Sequence, residues 1–476
     1  MSEARDRALE AIAAAPRGPE VAAFFDLDGT LVRGYTAIAF LKDQLRRGEL
    51  GARELLRIGS DAIRHHKDPS MGLGPITSGV ELLRGRALVD LEAQAAQVFR
   101  NEVARRIRPE ARSLVRAHQE AGHQVVMATA ATPFQARSVA EDLGIEHVLC
   151  TEVEVVDGVL TGRLAGPARW GPEKAAAVIA FAERHGLDRQ KCFAYGNGVE
   201  DEDFLAAVGH PVAVRPDAGL ADIARSKGFP VLELDEPREP GLRGLAGTVG
   251  AFGVFNAGLF ATLAASAVMD KREARAVGGS STADMALAAA GVELQVTGLE
   301  HLEAARPAVV LFNHQSNLDA LVVASIVRRD FTAVSKVEAG RDPRSFALRY
   351  LAIALIDRSD TERARKSVAA LATRIRGGES VIIAPEGTRM PTPTLGRFKQ
   401  GGFRLAMNAG VPLLPIVIRN TGELWPRGAA FVRPGVAEAR VLPPIPTGDW
   451  TLETLTERIA GVRELYADAL ASWGAA

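Results

Sequence analysis

Two short stretches carry residue types whose spacing can do chemistry. In FFDLDGTLV, Asp26 and Asp28 flank one leucine and are followed by Gly29 and Thr30. The β-type run VAAFFDL (21–27) leads into them, so both carboxyl groups fall where a strand gives way to a loop, and glycine permits the tight turn. Such a pair can ligate Mg²⁺ through oxygen, with one carboxylate attacking phosphorus and the other serving as acid and base. In LFNHQSNLDA, Asp319 follows His314 by five positions. If the residues after His314 open a helix, Asp319 returns on the same side and bonds one imidazole nitrogen, which leaves the other free as a base. The chain has no GxSxG elbow and no paired cysteine nucleophile, so His314 would activate a substrate hydroxyl for direct acyl transfer.

Other residues gather around each pair. For the first, Thr129 ends a second strand (HQVVMAT, 123–129), Lys174 lies in GPEKAAA, and Asn197 and Asp201 follow the strand-like CFAYGNG. A hydroxyl and an ammonium to hold phosphate, with further oxygen ligands for a metal, are what an aspartyl-phosphate mechanism requires. For the second, LIDR brings Arg358 to a strand end, and APEGTR brings Glu386, Gly387, Thr388 and Arg389 to another, with Lys399 following. Arginine donors bind phosphate oxygens in pairs, and a Gly-Thr backbone allows close approach.

The elements that must position these groups alternate between strand and helix in both halves, which describes parallel α/β sheets with ligands at the carboxyl ends of the strands. Helical patterns cover most of 33–105, 133–143 and 172–186, and Asp157-Gly158 marks a hairpin turn in CTEVEVVDGVLTGRL. After a Pro- and charge-rich junction, LDEPREPGLRG (234–244), strands are expected at 308–314, 331–336, 354–358, 380–387 and 411–418, with a closing amphipathic helix. The expected divisions are a first domain at 1–235 with a helical cap near 33–105, a linker and membrane-associating segment at 236–275, and a second domain at 276–476.

A chain of 476 residues is too long for one ordinary core. Its 57 basic and 58 acidic side chains give a net charge of −1, which leaves no global field for nucleic acid. Two cysteines, Cys150 and Cys192, cannot build a disulfide framework and fit a reducing compartment. The N-terminal stretch lacks the apolar core of a secretory signal, so the chain is expected to begin in the cytoplasm. Between Arg243 and Asp270, however, no residue is charged. That run is long enough to span a bilayer, while its glycines and alanines suit a half-inserted helix pair or a buried core helix as well.

Residues 21–217 resemble the haloacid dehalogenase superfamily, in its phosphoserine-phosphatase-like branch with a helical cap after the first motif. The resemblance implies a Rossmann-like domain in which Asp26 is nucleophile and metal ligand and Asp28 the acid/base. Thr129 and Lys174 would bind phosphate, and Asp201 would be the late acidic residue near Mg²⁺. Where the family has Asp after the glycine of its last motif this chain has Asn197, a neutral ligand that should weaken the metal site. The first domain is therefore either a hydrolase or a module that binds phosphate without efficient turnover. Its substrate could be a lipid phosphate or a small phosphoacid such as phosphoserine.

The second half resembles the glycerolipid acyltransferases, the group that includes the 1-acylglycerol-3-phosphate acyltransferases. NHQSNLD matches the NHx4D signature, and LIDR, PEGTR and VPLLPI match its later blocks in order. The resemblance implies that His314 deprotonates the acceptor hydroxyl with support from Asp319. Arg358, Glu386, Gly387, Thr388 and Arg389 would hold the glycerol phosphate. It further implies acyl-CoA or acyl carrier protein as donor, a lysophospholipid phosphate as acceptor, contact with membrane lipid, and a place on the cytoplasmic face of the cell membrane, monotopic or single-span.

Overall fold

The first strand, β1 (Ala22–Phe25), is buried at every position, and its side chains divide by parity between two cores. Ala23 and Phe25 enter one hydrophobic cluster and Ala22 and Phe24 the other, as alternate side chains of a pleated strand must. A strand covered on both faces belongs to a parallel sheet, and that is what forms. The computed structural model describes residues 3–49, 73–234, 241–336, 354–356 and 361–473. Two units result, Met1–Pro237 and Arg238–Ala476.

In the first unit β1 is joined by β2 (Gln124–Ala128), β3 (His147–Leu149), β6 (Phe193–Gly196), β7 (His210–Val214) and β8 (Val231–Leu232) in the order β3-β2-β1-β6-β7-β8, all parallel. The order reverses between β1 and β6, which places the loops after Phe25 and Gly196 side by side at the crevice where such sheets take ligands. The antiparallel hairpin of β4 (Val153–Val156) and β5 (Val159–Leu164) stands apart from the sheet. Its turn residues Asp157 and Gly158 both have positive φ, 51° and 76°, as the sequence predicts. Helices Thr36–Arg47, Leu73–Glu81 and Leu88–Val98 follow β1. The expected cap is thus helical in its described residues, and 50–72 lie outside them.

The second unit has a seven-stranded sheet of β9 (Val292–Thr297), β10 (Val309–Phe312), β11 (Phe331–Lys336), β12 (Ala354–Ile356), β13 (Ser380–Ile383), β14 (Leu413–Ile418) and β15 (Gly435–Val441). Its order is β12-β11-β13-β10-β14-β15-β9. β10 lies in the middle and again splits by parity, Val310 and Phe312 to one core, Val309 and Leu311 to the other. Pairing is parallel except between β14 and β15; β15 and β9 extend the parallel sheet expected from the sequence. The closing helix, Leu455–Ala471, covers one face through Ile459, Val462, Tyr466 and Ala469. Its Tyr466 hydroxyl donates to the Leu311 carbonyl at 2.7 Å.

The uncharged run becomes the first arm of a helical hairpin, Gly241–Ala265 packed on Lys271–Ala289, within this second unit. The residues expected to form a linker and apolar segment at 236–275 therefore contribute all of the first arm, the turn and the start of the second arm, with 235–240 outside the described residues. Gly258 receives Thr282, and Gly278 receives Thr262. A Cβ on either glycine would come within 2.1 or 2.0 Å of the threonine Oγ1, so the two helices interlock small residue against hydroxyl. Gly244–Ala265 is long and apolar enough to cross a membrane, and only 17% of it is buried, which sets it apart from a core helix.

A buried polar chain ties the first unit's N-terminal region to β6, the strand that leads into Asn197. His123 Nε2 donates to the Pro16 carbonyl at 2.9 Å, the two Nδ1 atoms of His118 and His123 meet at 2.8 Å, and His118 Nε2 faces the Tyr195 hydroxyl at 2.9 Å. One assignment satisfies all three: His123 carries its proton on Nε2, His118 on Nδ1, and Tyr195 donates. A further proton on His123 would set two N–H groups against each other, and one on His118 would force the Tyr195 hydroxyl to turn from donor to acceptor. Burial, and then the neighbouring His123, push His118 down to about 3. Because the folded state refuses a proton that the unfolded chain accepts near pH 6.5, stability is undiminished above that pH and falls as pH drops from 6.5 toward 3. The first unit should lose about 1.4 kcal/mol per pH unit in that window. Urea unfolding of the full chain at pH 7, 6 and 5, read by hydrogen exchange of peptides from 109–128, should show that slope, and His118→Phe should flatten it.

Candidate active sites

In the first unit, the Asp26 N–H donates to the Tyr195 carbonyl at 2.9 Å, continuing the β1–β6 register past the strand end. The helix Pro172–Arg184 brings in Lys174, whose Nζ donates to Asp26 Oδ1 at 2.6 Å and to Asp201 Oδ1 at 2.7 Å. Asp201 Oδ2 accepts the N–H groups of Asn197 and Gly198 at 2.9 and 3.3 Å. Both Asp201 oxygens are thus engaged, one in anchoring the lysine and the other in shaping the loop. Gly29 has φ +88°, and a Cβ there would lie 2.3 Å from the Asn197 side chain. The glycine is what lets the two loops touch.

Asp28 caps the helix Thr36–Arg47: Oδ1 accepts Thr36 N at 2.7 Å and Oδ2 accepts Thr36 Oγ1 at 3.1 Å. Burial pushes its carboxyl up to about 6 against those bonds. Burial also pushes Asp26 up, to about 8; Lys174 opposes the rise, and the charges of Asp201 and Asp28 add to it. Burial alone would lower Lys174, but Asp201 and Asp26 hold its ammonium above the ordinary lysine value. Negative charge in excess of one ammonium, presented on oxygen, is the donor chemistry of a hard cation such as Mg²⁺. Asn197 makes that set one carboxylate poorer, and its Oδ1 accepts Thr30 Oγ1 at 3.0 Å. Among the described residues no group of three or more His, Cys, Asp or Glu side chains is arranged to hold a metal ion. Thr129 ends β2 beside β1, and its hydroxyl accepts the Ala131 N–H at 3.1 Å.

In the second unit, His314 leaves the end of β10 and the helix Leu318–Val327 returns Asp319 to it, with Nδ1 and Oδ2 2.8 Å apart. Asp319 Oδ2 also accepts the N–H groups of Gln315 and Ser316, at 2.7 and 2.9 Å, while Oδ1 accepts the Thr421 hydroxyl. Every other contact of this fully buried carboxyl group comes from a donor, so in the pair Nδ1 of His314 donates and Nε2 keeps its lone pair. Asn313 fastens this turn to β14, donating to the Ile418 carbonyl and accepting its N–H, both at 2.7 Å.

Glu386 stands behind the histidine. Its Oε2 accepts His314 N–H at 2.7 Å and its Oε1 accepts Gly396 N–H at 3.0 Å, and burial raises its pKa. Expected from the sequence among the phosphate-holding residues, it is instead buried in a backbone clamp, and an anion would repel phosphate in any case. Gly387 adopts φ +67° and Met390 N–H donates to the His314 carbonyl at 2.7 Å, which folds the PEGTR stretch back over the histidine. Arg389 then reaches Asn317 Oδ1 at 2.9 Å. Thr388 and Lys399 are exposed, and the Lys399 N–H donates to the Pro385 carbonyl. Arg358 lies outside the described residues. Thr30, Thr36 and Thr421, which hold Asn197, Asp28 and Asp319, escape sequence reasoning because a threonine near a strand or helix end carries no spacing signal of its own.

Residues 23–206 match the haloacid dehalogenase-like hydrolase family, and residues 293–419 match the acyltransferase family. Over 215 residues the chain is 34% identical to phosphoserine phosphatase SerB1 of Mycobacterium tuberculosis, covering 44% of this chain and 70% of that one. Over 156 residues it is 35% identical to a 1-acyl-sn-glycerol-3-phosphate acyltransferase of Pseudomonas aeruginosa, covering 32% and 60%. Over 178 residues it is 31% identical to the enzyme of that name from Limnanthes alba, covering 37% and 63%. The chain therefore joins a haloacid dehalogenase-like hydrolase domain of the phosphoserine-phosphatase-like kind to an acyltransferase domain.

Proposed function

We propose that the second unit transfers an acyl group from acyl-CoA or acyl carrier protein to the free hydroxyl of 1-acylglycerol 3-phosphate, giving phosphatidate at the cytoplasmic face of a membrane. The observation that carries this reading is the His314–Asp319 pair, with Nδ1 committed to a buried carboxylate and Nε2 open as a base. Nε2 takes the acceptor proton as the acceptor oxygen attacks the thioester carbonyl. The new C–O bond forms, the C–S bond breaks, and the proton passes to the departing sulfur. Glu386 and Asn313 hold the backbone on either side of the base, so His314 pays little reorganisation when substrate arrives. The exposed apolar arm Gly244–Ala265 supports monotopic seating of the hairpin on lipid.

For the first unit we propose a phosphomonoesterase-type site in which Asp26 is the nucleophile, Lys174 offsets phosphate charge, and Asp28 exchanges a proton with the leaving oxygen. Mg²⁺, the ion that haloacid dehalogenase-like hydrolases generally use, would be held by side-chain oxygens of Asp26 and Asn197 and would neutralise the phosphate. A lipid phosphate made or used by the second unit is the substrate that gives the fusion a chemical purpose, and phosphoserine is the soluble rival. One observation favours a second reading, a module that binds phosphate without turnover: Asn197 removes a carboxylate where cation charge must be balanced, and Lys174 occupies Asp26 and Asp201 together.

The test supplies detergent-purified full chain with lysophosphatidate, an acyl-CoA and Mg²⁺, and follows lipids by mass spectrometry and inorganic phosphate in one tube. Phosphatidate is the expected product, and its absence with every acyl donor tried overturns the acyltransferase reading. His314→Ala should lower transfer by at least about 100-fold while leaving phosphate release unchanged; near-normal transfer would remove His314 from the chemistry. Asn197→Asp should strengthen Mg²⁺ dependence and raise phosphate release. If neither changes, the neutral ligand is not what limits the first unit, and phosphate release that is nil in both proteins favours the binding module.

A further inference from the structure

Thr421 lies beyond the last of the acyltransferase sequence blocks, yet the fold carries its hydroxyl to the centre of the second site. β14 ends at Ile418, and the single-turn helix Thr421–Leu424 follows. Asn420, just before that helix, is gripped by β15: its Nδ2 donates to the Val436 carbonyl at 2.8 Å and its Oδ1 accepts the Glu438 N–H at 3.0 Å. At the far end of the turn the Thr421 carbonyl accepts the Trp425 N–H at 2.9 Å, and the Trp425 carbonyl accepts Ser316 Oγ at 2.8 Å. The Ser316 N–H donates to Asp319 Oδ2 at 2.9 Å, while the Thr421 hydroxyl donates to Asp319 Oδ1. A closed ring of hydrogen bonds therefore runs through both oxygens of one carboxylate. Phe252 of the apolar helix meets the Trp425 ring edge-on at 6.1 Å, and Thr248 Oγ1 of the same helix accepts the Val432 N–H at 2.8 Å, which braces the ring from outside.

The two oxygens are loaded unequally. Oδ2 takes three donors, His314 Nδ1 and the N–H groups of Gln315 and Ser316, whereas among the described residues Oδ1 takes the Thr421 hydroxyl alone. The backbone donors come with the turn itself, so Thr421 is the side chain, besides the histidine, through which the sequence sets the charge left on Asp319. Thr421 and Asp319 are both fully buried, so solvent does not blunt the exchange between them. Each donor draws charge from a carboxylate and makes it a weaker base. A carboxylate relieved in this way pulls less on the Nδ1 proton and stabilises an imidazolium less, which keeps the Nε2 lone pair available to lower pH. Glu386, whose Oε2 accepts the His314 N–H, and Arg389, on Asn317 Oδ1, are the other charged groups held at this turn among the described residues.

We propose that Thr421 is a positioning residue that acts through Asp319, its hydroxyl setting the pH range over which His314 Nε2 works as a base. The inference rests on the acyltransferase reading and adds to it the side chain that adjusts the base. Two readouts on the full-length protein test it. One is the pH dependence of kcat/KM for acyl transfer to lysophosphatidate. The other needs no turnover: diethyl pyrocarbonate attacks only unprotonated imidazole, and the His314 side chain is 24% exposed. The rate of its modification from pH 5 to 8 is followed by mass spectrometry of the peptide that bears it. Removing the hydroxyl leaves more charge on Asp319, favours the imidazolium and so moves the acidic limb to higher pH. Thr421→Val should shift that limb up by about half a pH unit or more in both readouts, and Thr421→Ser should hold the wild-type midpoint. Thr421→Ala removes the same hydroxyl and takes the place of the valine variant should that one fail to fold. Ser316→Ala breaks the ring without taking a donor from Asp319, so it should lower the rate and leave the midpoint in place. A limb that stays put or moves down without the Thr421 hydroxyl overturns the proposal even if transfer is robust. An equal shift in Ser316→Ala also overturns it, leaving Thr421 a brace alone. The upward shift in His314 modification upholds it even if no acyl transfer is found.

Discussion

A parallel sheet covered on both faces has no room for a polar side chain except beyond the ends of its strands, and both units of this chain are built under that constraint. β1 and β10 bury every side chain they have, and the first position past each run at which chemistry becomes possible is where Asp26 and Asn313-His314 stand. The neighbouring strands obey the same rule. Gly196 delivers Asn197, β14 delivers the backbone that Asn313 grips, and β13 leads into Glu386. Each site is a place where backbone hydrogen bonding runs out and side chains take it over.

The two sites use buried carboxylates differently. Asp319 is surrounded only by donors, two backbone N–H groups, an imidazole and a hydroxyl, so its charge is fully compensated and can act through the histidine without moving. Asp26 shares its one strong donor, Lys174, with Asp201, and the third carboxylate, Asp28, turns to a helix N-terminus. That leaves charge unsatisfied, and burial raises Asp26 accordingly. The second unit has a site complete in its own polar groups; the first has one whose balance calls for a cation. A neutral Asn197 in the loop bears on that balance more than on the fold, because the same loop geometry is secured by Asp201 and by Gly29.

What was legible in the sequence follows the same division. Strand ends marked by an apolar run breaking into charge, FFDLD and LFNHQ, could be read directly, as could the hairpin at Asp157-Gly158 and the helix that brings back Asp319. Glu386 could not, since a glutamate in a block rich in phosphate-binding residue types gives no sign that both its oxygens are claimed by distant backbone N–H groups, at His314 and Gly396. Thr421 lies 102 positions from the carboxylate it serves, and Ser316 reaches Trp425 over 109. Contacts of that range have no periodicity, so composition and spacing cannot announce them. β9 and β15 were missed for a related reason: their alternating, half-exposed patterns differ from the continuous apolar runs that mark the central strands.

The apolar segment was ambiguous for a physical reason as well. Glycine and threonine lower its hydropathy, which argues against a lipid-facing helix, yet Gly258 and Gly278 are what allow Thr282 and Thr262 to seat across the hairpin. The Thr262 hydroxyl donates to the Gly258 carbonyl at 2.7 Å within its own helix, and Thr248 does the same to Gly244. A hairpin held by close backbone approach, with hydroxyls turned onto helix carbonyls, does not depend on water to drive its two arms together. The same residues that make the segment look weakly hydrophobic are therefore what hold its two arms together, without the large aliphatic side chains that pack an ordinary core. Because Thr248 and Phe252 of that helix also hold the loop beneath Trp425, a rigid hairpin is as much a part of the second site's geometry as the strands are.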